Sequence, residues 1–108
     1  MEFGLKEKTI EQISGVFAKY PQIDKVILYG SRAKGCFKNG SDIDITLKGN
    51  GLNLSIINKI NLDIDDLLLP YTFDISVFEQ ISNSDLIKHI ESVGVVFYEC
   101  NNKITAKK

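Results

Sequence analysis

The sequence predicts an α/β (α+β) domain in which helices cover one small sheet. Helical and strand-like apolar patterns alternate along the chain, and proline or glycine marks most of the changes of period. At 108 residues with 44% hydrophobic side chains, the chain can bury one core and leaves no room for a second substrate-binding domain.

The elements follow in order. Leu5, Ile10, Ile13, Val16, Phe17 and Tyr20 recur at helical spacing and predict a first amphipathic helix, which Pro21 ends. Lys25 to Tyr29 reads as a strand, and Gly30 to Gly40 as a glycine-rich basic loop with a short helix through Arg32, Ala33 and Lys34. A second strand is expected over Asp42 to Leu47, closed by the turn Lys48-Gly49-Asn50-Gly51. Ile56, Ile57, Ile60, Ile64, Leu67 and Leu68 predict a helix from about Asn53 to Leu69, and Pro70 bars its continuation. Phe73, Ile75 and Val77 then alternate within a strand from Tyr71 to Phe78. Ser82 or Ser84 as cap, Leu86, Ile87, Ile90 and Val93 as apolar face and Gly94 as stop signal a last helix. Val95 to Tyr98 adds a short edge strand, so a single domain is expected over 1–100 with a polar, basic tail over 101–108.

Composition narrows the function. Thirteen basic against fourteen acidic residues give a formal charge of −1, which makes no overall electrostatic case for binding nucleic acid as a polymer. Cys36 and Cys100 lack metal-ligand spacing, and a reduced cytoplasmic setting accounts for them most simply. The apolar stretches are too short and too often interrupted by charge for a signal peptide or a membrane span.

Chemistry concentrates between Ile27 and Leu47. A strand puts every second side chain on one face, with alternate Cα atoms about 6.6 Å apart, so Asp42 and Asp44 would point together while Ile43, Ile45 and Leu47 take the other face. Hard divalent cations favour such oxygen ligands, and magnesium combines one or two carboxylates with phosphate oxygens of a substrate. Upstream, Gly30 lets the backbone approach a phosphate closely, and a helix starting at Ser31 adds its positive dipole end. Asp63-Ile64-Asp65 has the same D-x-D form but lies in a helical pattern, where residues two apart do not face each other. Asp63, Asp65 and Asp66 are therefore expected to be solvated surface charge.

Gly30-Ser31, ten residues, then Asp42-x-Asp44 resembles the signature of the nucleotidyltransferase superfamily built on the DNA polymerase β palm. In so short a chain the likeness is to the minimal nucleotidyltransferases, stand-alone domains often paired as antitoxins with a HEPN-domain toxin. The resemblance implies a small mixed sheet with helices packed on one face and the catalytic carboxylates on the other. It also demands a third carboxylate on a later, neighbouring strand, and Asp74 in the Tyr71–Phe78 run matches that position.

The implied activity is transfer of a nucleoside monophosphate, AMP by family habit, from a nucleoside triphosphate to an acceptor hydroxyl. Two magnesium ions, or manganese, would be held by Asp42, Asp44 and Asp74, with Asp74 beside the acceptor. Gly30 and Ser31 would bind the triphosphate of ATP. Arg32 and Lys34 are further nucleotide-binding candidates, Arg32 with solvation as the equal alternative. Lys38 is a weaker one, and Ser41 is read as shaping the turn. Packing is favoured for Tyr29, and a surface or packing role for His89, the sole histidine.

The chain stops soon after the strand with the third carboxylate. The acceptor is then expected to be recognised by another surface, in a homo-oligomer or a partner such as a HEPN-type toxin with a tyrosine acceptor. Two alternatives stand beside this one: a binding module that neutralises a partner by contact alone, and an antibiotic nucleotidyltransferase completed by dimerisation.

Overall fold

The structure, a computed structural model, describes residues 3–38 and 40–100. Helix α1 (Glu7–Ala18) leads into β1 (Ile23–Tyr29), the short α2 (Ser31–Lys34) and β2 (Ile43–Gly49). Helix α3 (Leu54–Asp65) crosses over to β3 (Phe73–Val77), a 3-10 turn spans Phe78–Gln80, and α4 (Ser84–Val93) precedes β4 (Val95–Glu99). The tail expected over 101–108 lies outside the described residues. No helix among the described residues is long and apolar enough to cross a membrane.

The strands form one mixed sheet in the order β3-β2-β1-β4. β2 runs antiparallel to β1 and parallel to β3, and β4 pairs antiparallel with β1. A parallel pair needs a crossover, which α3 provides. Because paired residues share a face, alternation along β2 decides the character of both sides of the sheet. Ile43, Ile45 and Leu47 are fully buried beneath α1 and α3, together with Val26 and Leu28 of β1. Each such side chain contributes about 1.5–3 kcal/mol relative to exposure. The opposite face carries Tyr29, Asp44, Thr46, Asp74 and Ser76.

Helix α1 buries Ile13, Val16 and Phe17, and the Phe17 ring meets Phe97 of β4 edge-on at 6.3 Å. At its end, the Tyr20 hydroxyl donates to the Asp63 carboxylate, and Lys19 Nζ lies 3.4 Å from the same group. Asp63 is thus not free surface charge, whereas Asp65 and Asp66 are exposed. Burial and the neighbouring carboxylate push the Tyr20 hydroxyl up to about 12, and the Tyr20 hydrogen bond holds Asp63 below the usual carboxylate range.

Several boundaries differ from the sequence reading for local reasons. α3 stops at Asp65 rather than near Leu69, because the chain reverses through Leu68 at φ 54° before Pro70. β3 is shorter than expected, since Phe78 turns into the 3-10 segment. The cap of α4 is Asn83 and not either flanking serine: its side-chain oxygen accepts from the N–H groups of Asp85 and Leu86. β2 starts at Ile43, leaving Asp42 just ahead of the strand.

α4 takes a place of its own. Ile90 packs on Ile27 and Tyr29, on the face of β1 opposite Val26 and Leu28. It therefore stands beside the face that carries the carboxylates, while α1 and α3 cover the other.

Candidate active site

The site begins where β1 ends. After Tyr29, Gly30 adopts φ 77° and ψ −157°, a conformation open essentially to glycine. A Cβ at this position would overlap the Asp44 carboxylate. The missing side chain therefore lets backbone and carboxylate meet. Ser31 opens α2, whose first amides have no acceptor within the helix and are available to an anion.

Gly30→Ala is expected to destabilise the fold by about 2 kcal/mol, combining backbone strain with displacement of Asp44. Gly35, at φ 82° with open space around it, supplies the comparison: Gly35→Ala meets no overlap and should cost about 1 kcal/mol. Thermal unfolding of the two variants measures the difference.

Arg32 settles into a place the sequence did not suggest. It is 3% exposed, its Nε and Nη2 donate to the Ser41 carbonyl at 3.0 and 2.9 Å, and Nη1 donates to the Phe3 carbonyl at 2.8 Å. The Phe37 and Tyr71 rings lie 5.3 and 5.0 Å from its guanidinium carbon. This group is neither solvated nor turned to a phosphate; it ties the two ends of the loop to the N-terminal segment. Ser41 completes the turn by accepting from the Lys38 N–H at 2.8 Å. Lys34 and Lys38 are exposed.

The carboxylates occupy adjacent strands. Asp44 of β2 is paired in register with Asp74 of β3 on one side and with Tyr29 of β1 on the other. Asp42 is exposed, yet close enough for its charge to act on Asp44. Burial foremost, then the charges of Asp74 and Asp42, hold the Asp44 carboxyl above its usual range, and His89 partly offsets them. Among the described residues no lysine or arginine forms an ion pair with any of these carboxylates. Nor do three His, Cys, Asp or Glu side chains among the described residues converge enough to hold a metal ion unaided. Unneutralised carboxylates beside open backbone amides nevertheless fit a magnesium ion that arrives with a polyphosphate, because such an ion needs only one or two protein carboxylates.

Tyr29 and His89 close one side of this row. The Tyr29 ring lies 6.1 Å from that of His89 at an interplanar angle of 82°. Burial chiefly raises the Tyr29 hydroxyl, Ser76 lowers it, and the charges of Asp74 and Asp44 raise it further.

Sequence comparison then decides the family. The profile described as polymerase beta, nucleotidyltransferase, matches residues 11–103, most of the chain. The chain belongs to that family. No curated protein matches this nucleotidyltransferase in sequence. Among solved structures, a toxin–antitoxin complex with AMP-PNP superposes with a TM-score of 0.67 at 18% identity, covering 92% of this chain and 77% of the other. An MNT antitoxin in complex with tri-AMPylated HEPN toxin from Shewanella oneidensis gives 0.65 at 13% identity, with 94% and 79% covered. The complex named MntA-HepT gives 0.65 at 14%, with 91% and 76% covered. At such identities the likeness is one of fold.

The nucleotidyltransferase thus brings Gly30, Ser31, Asp42, Asp44 and Asp74 to one end of β2, with Lys34 exposed on α2 and Arg32 buried behind the loop. Beyond Asp74, the outer edge of β3 has no strand partner among the described residues. It borders a groove of about 360 Å³ lined by Leu54, Ile57, Ile75, Ser76, Gln80 and Ile81, among others. The sequence reading left Tyr29 and His89 out of the site. For Tyr29 the signal lay in its strand alternation, legible once β1 and β2 are in register; for His89 there was none.

Proposed function

We propose that this nucleotidyltransferase transfers a nucleoside monophosphate, AMP from ATP, to a hydroxyl of a partner protein of the HEPN type. The observation that carries the reading is the register match of Asp44 with Asp74, unneutralised and directly against Gly30. The AMP-PNP in one structural relative and the tri-AMPylated toxin in another support the choice of donor and acceptor.

Asp42, Asp44 and Asp74 are the residues that would hold divalent ions. When bound, such ions supply charge neutralisation for the phosphates and a template for in-line attack. The backbone amides after Gly30 and the Ser31 hydroxyl bind the triphosphate tail, and Lys34, exposed on the same helix, is a further candidate contact. Arg32 is a positioning residue, keeping the loop closed over its own carbonyls. In the reaction the acceptor oxygen bonds to the α-phosphorus, the bond to the β-phosphate bridge breaks, and pyrophosphate leaves. Asp74, on the open edge, faces the acceptor side and is the group to receive its proton.

Incubating the chain with its neighbour-encoded HEPN-type protein, ATP and magnesium should add adenylyl mass to the partner. Absence of added mass with every nucleotide tried would overturn protein modification. Full neutralisation of the partner by a chain carrying Asp42→Asn and Asp44→Asn would instead favour inhibition by contact.

A further inference from the structure

We propose that His89 is a nucleotide-binding residue, its imidazole hydrogen-bonding a phosphate oxygen of the bound nucleoside triphosphate. The inference rests on the nucleotidyltransferase reading above and extends it to a helix that the loop and strand motifs do not include.

Helix α4 lies against the end of β1. Ile90 anchors the helix on Ile27 and Tyr29, so the preceding residue is brought over the end of β1, directly before the Gly30-Ser31 bend. The Tyr29 ring fixes the imidazole edge-to-face while leaving it only half-buried. Neither ring nitrogen hydrogen-bonds to a described residue, and neither is sealed from solvent. An imidazole set against a tyrosine ring in a T-shaped contact, with both nitrogens uncommitted, is arranged for a ligand rather than for the core. The imidazole lies close enough to Asp44 to act on its carboxylate. No arginine serves this side of the site, because the Arg32 guanidinium is committed to the carbonyls of Ser41 and Phe3. A donor on the α4 side therefore complements the amides on the α2 side across the same phosphates.

The chain has a single histidine, so one imidazole resonance reports on the residue without assignment. A non-hydrolysable ATP analogue with magnesium should shift that resonance in the full-length protein. By calorimetric titration, His89→Phe, which keeps a ring against Tyr29 but has no nitrogen, should bind the analogue about tenfold more weakly. His89→Gln, which retains a side-chain donor, should recover most of the loss. If the wild type binds while the resonance stays unmoved, or His89→Phe binds as tightly as wild type, the assignment is overturned and the helix only packs. If the wild type binds neither this analogue nor any other nucleotide, the nucleotidyltransferase reading itself fails.

Discussion

Asp44→Asn should abolish nucleotidyl transfer while making the folded chain more stable. The loss follows from removing the carboxylate that stands between Tyr29 and Asp74 and against Gly30. Removal of one preorganised electrostatic group costs a factor on the order of 10³ in rate. The gain in stability follows from the same placement. Burial and two neighbouring carboxylates raise the Asp44 carboxyl above its unfolded value, so ionised Asp44 opposes folding. The penalty is absent below the unfolded pKa of about 3.9, grows as the pH rises through the higher folded value, and is complete at neutral pH. Asparagine keeps the shape without the charge. Its melting temperature should exceed that of the wild type at pH 7, and the gap should close near pH 3. Calorimetric scans at the two pH values, paired with a transfer assay, test both halves. Equal stability at every pH would show that neither burial nor the neighbouring carboxylates penalise ionised Asp44 in the fold.

The largest structural loss should come from Arg32. Arg32→Ala leaves the carbonyls of Ser41 and Phe3 without their donors and empties the space between Phe37 and Tyr71. Buried hydrogen bonds to a charged group are each worth about 1.5–3 kcal/mol, and the substitution is expected to cost about 3 kcal/mol in all. For a chain of this size that lowers the melting temperature by more than about 10 °C. Arg32→Lys should restore little, because an ammonium cannot serve both carbonyls in a planar fork or stack between rings. Binding distinguishes this role from phosphate recognition. If Arg32 only holds the loop, the fraction of Arg32→Lys protein that remains folded should bind a nucleotide analogue with near-native affinity. A folded Arg32→Lys variant that loses affinity a hundredfold would restore the direct contact with phosphate.

The parts of the site legible in the sequence are those governed by short-range geometry. Alternation placed Asp44 opposite the apolar Ile43, Ile45 and Leu47, and set Asp74, which the family resemblance called for, on the face away from Phe73, Ile75 and Val77. Gly30 was marked as a glycine ending a strand, where a missing Cβ allows close approach; its positive φ emerged only in the structure. What escaped were relations between distant segments. Arg32 binds backbone carbonyls, which leave no trace in residue identity, and one of them belongs to Phe3 at the other end of α1. Asp63 was read from its own helix, whereas its partners Tyr20 and Lys19 end a different one. Amphipathic spacing gave α4 an apolar side but could not say which face of the sheet it covers, and His89 was left out with it. Asn83 lies between two serines equally able to cap a helix, so composition could not choose among them.

The parallel pairing of β2 with β3 couples correct folding to competence for chemistry. Sliding β3 by a single residue, so that Ile75 comes out beside Asp44, would turn Asp74 into the layer beneath the sheet, against Ile43. Such a misaligned chain would take Asp74 away from Asp44 and bury an unpaired charge in one movement. The alignment that stabilises the sheet is also the one that sets Asp44 beside Asp74, so a misthreaded molecule would lose stability and the carboxylate pair together.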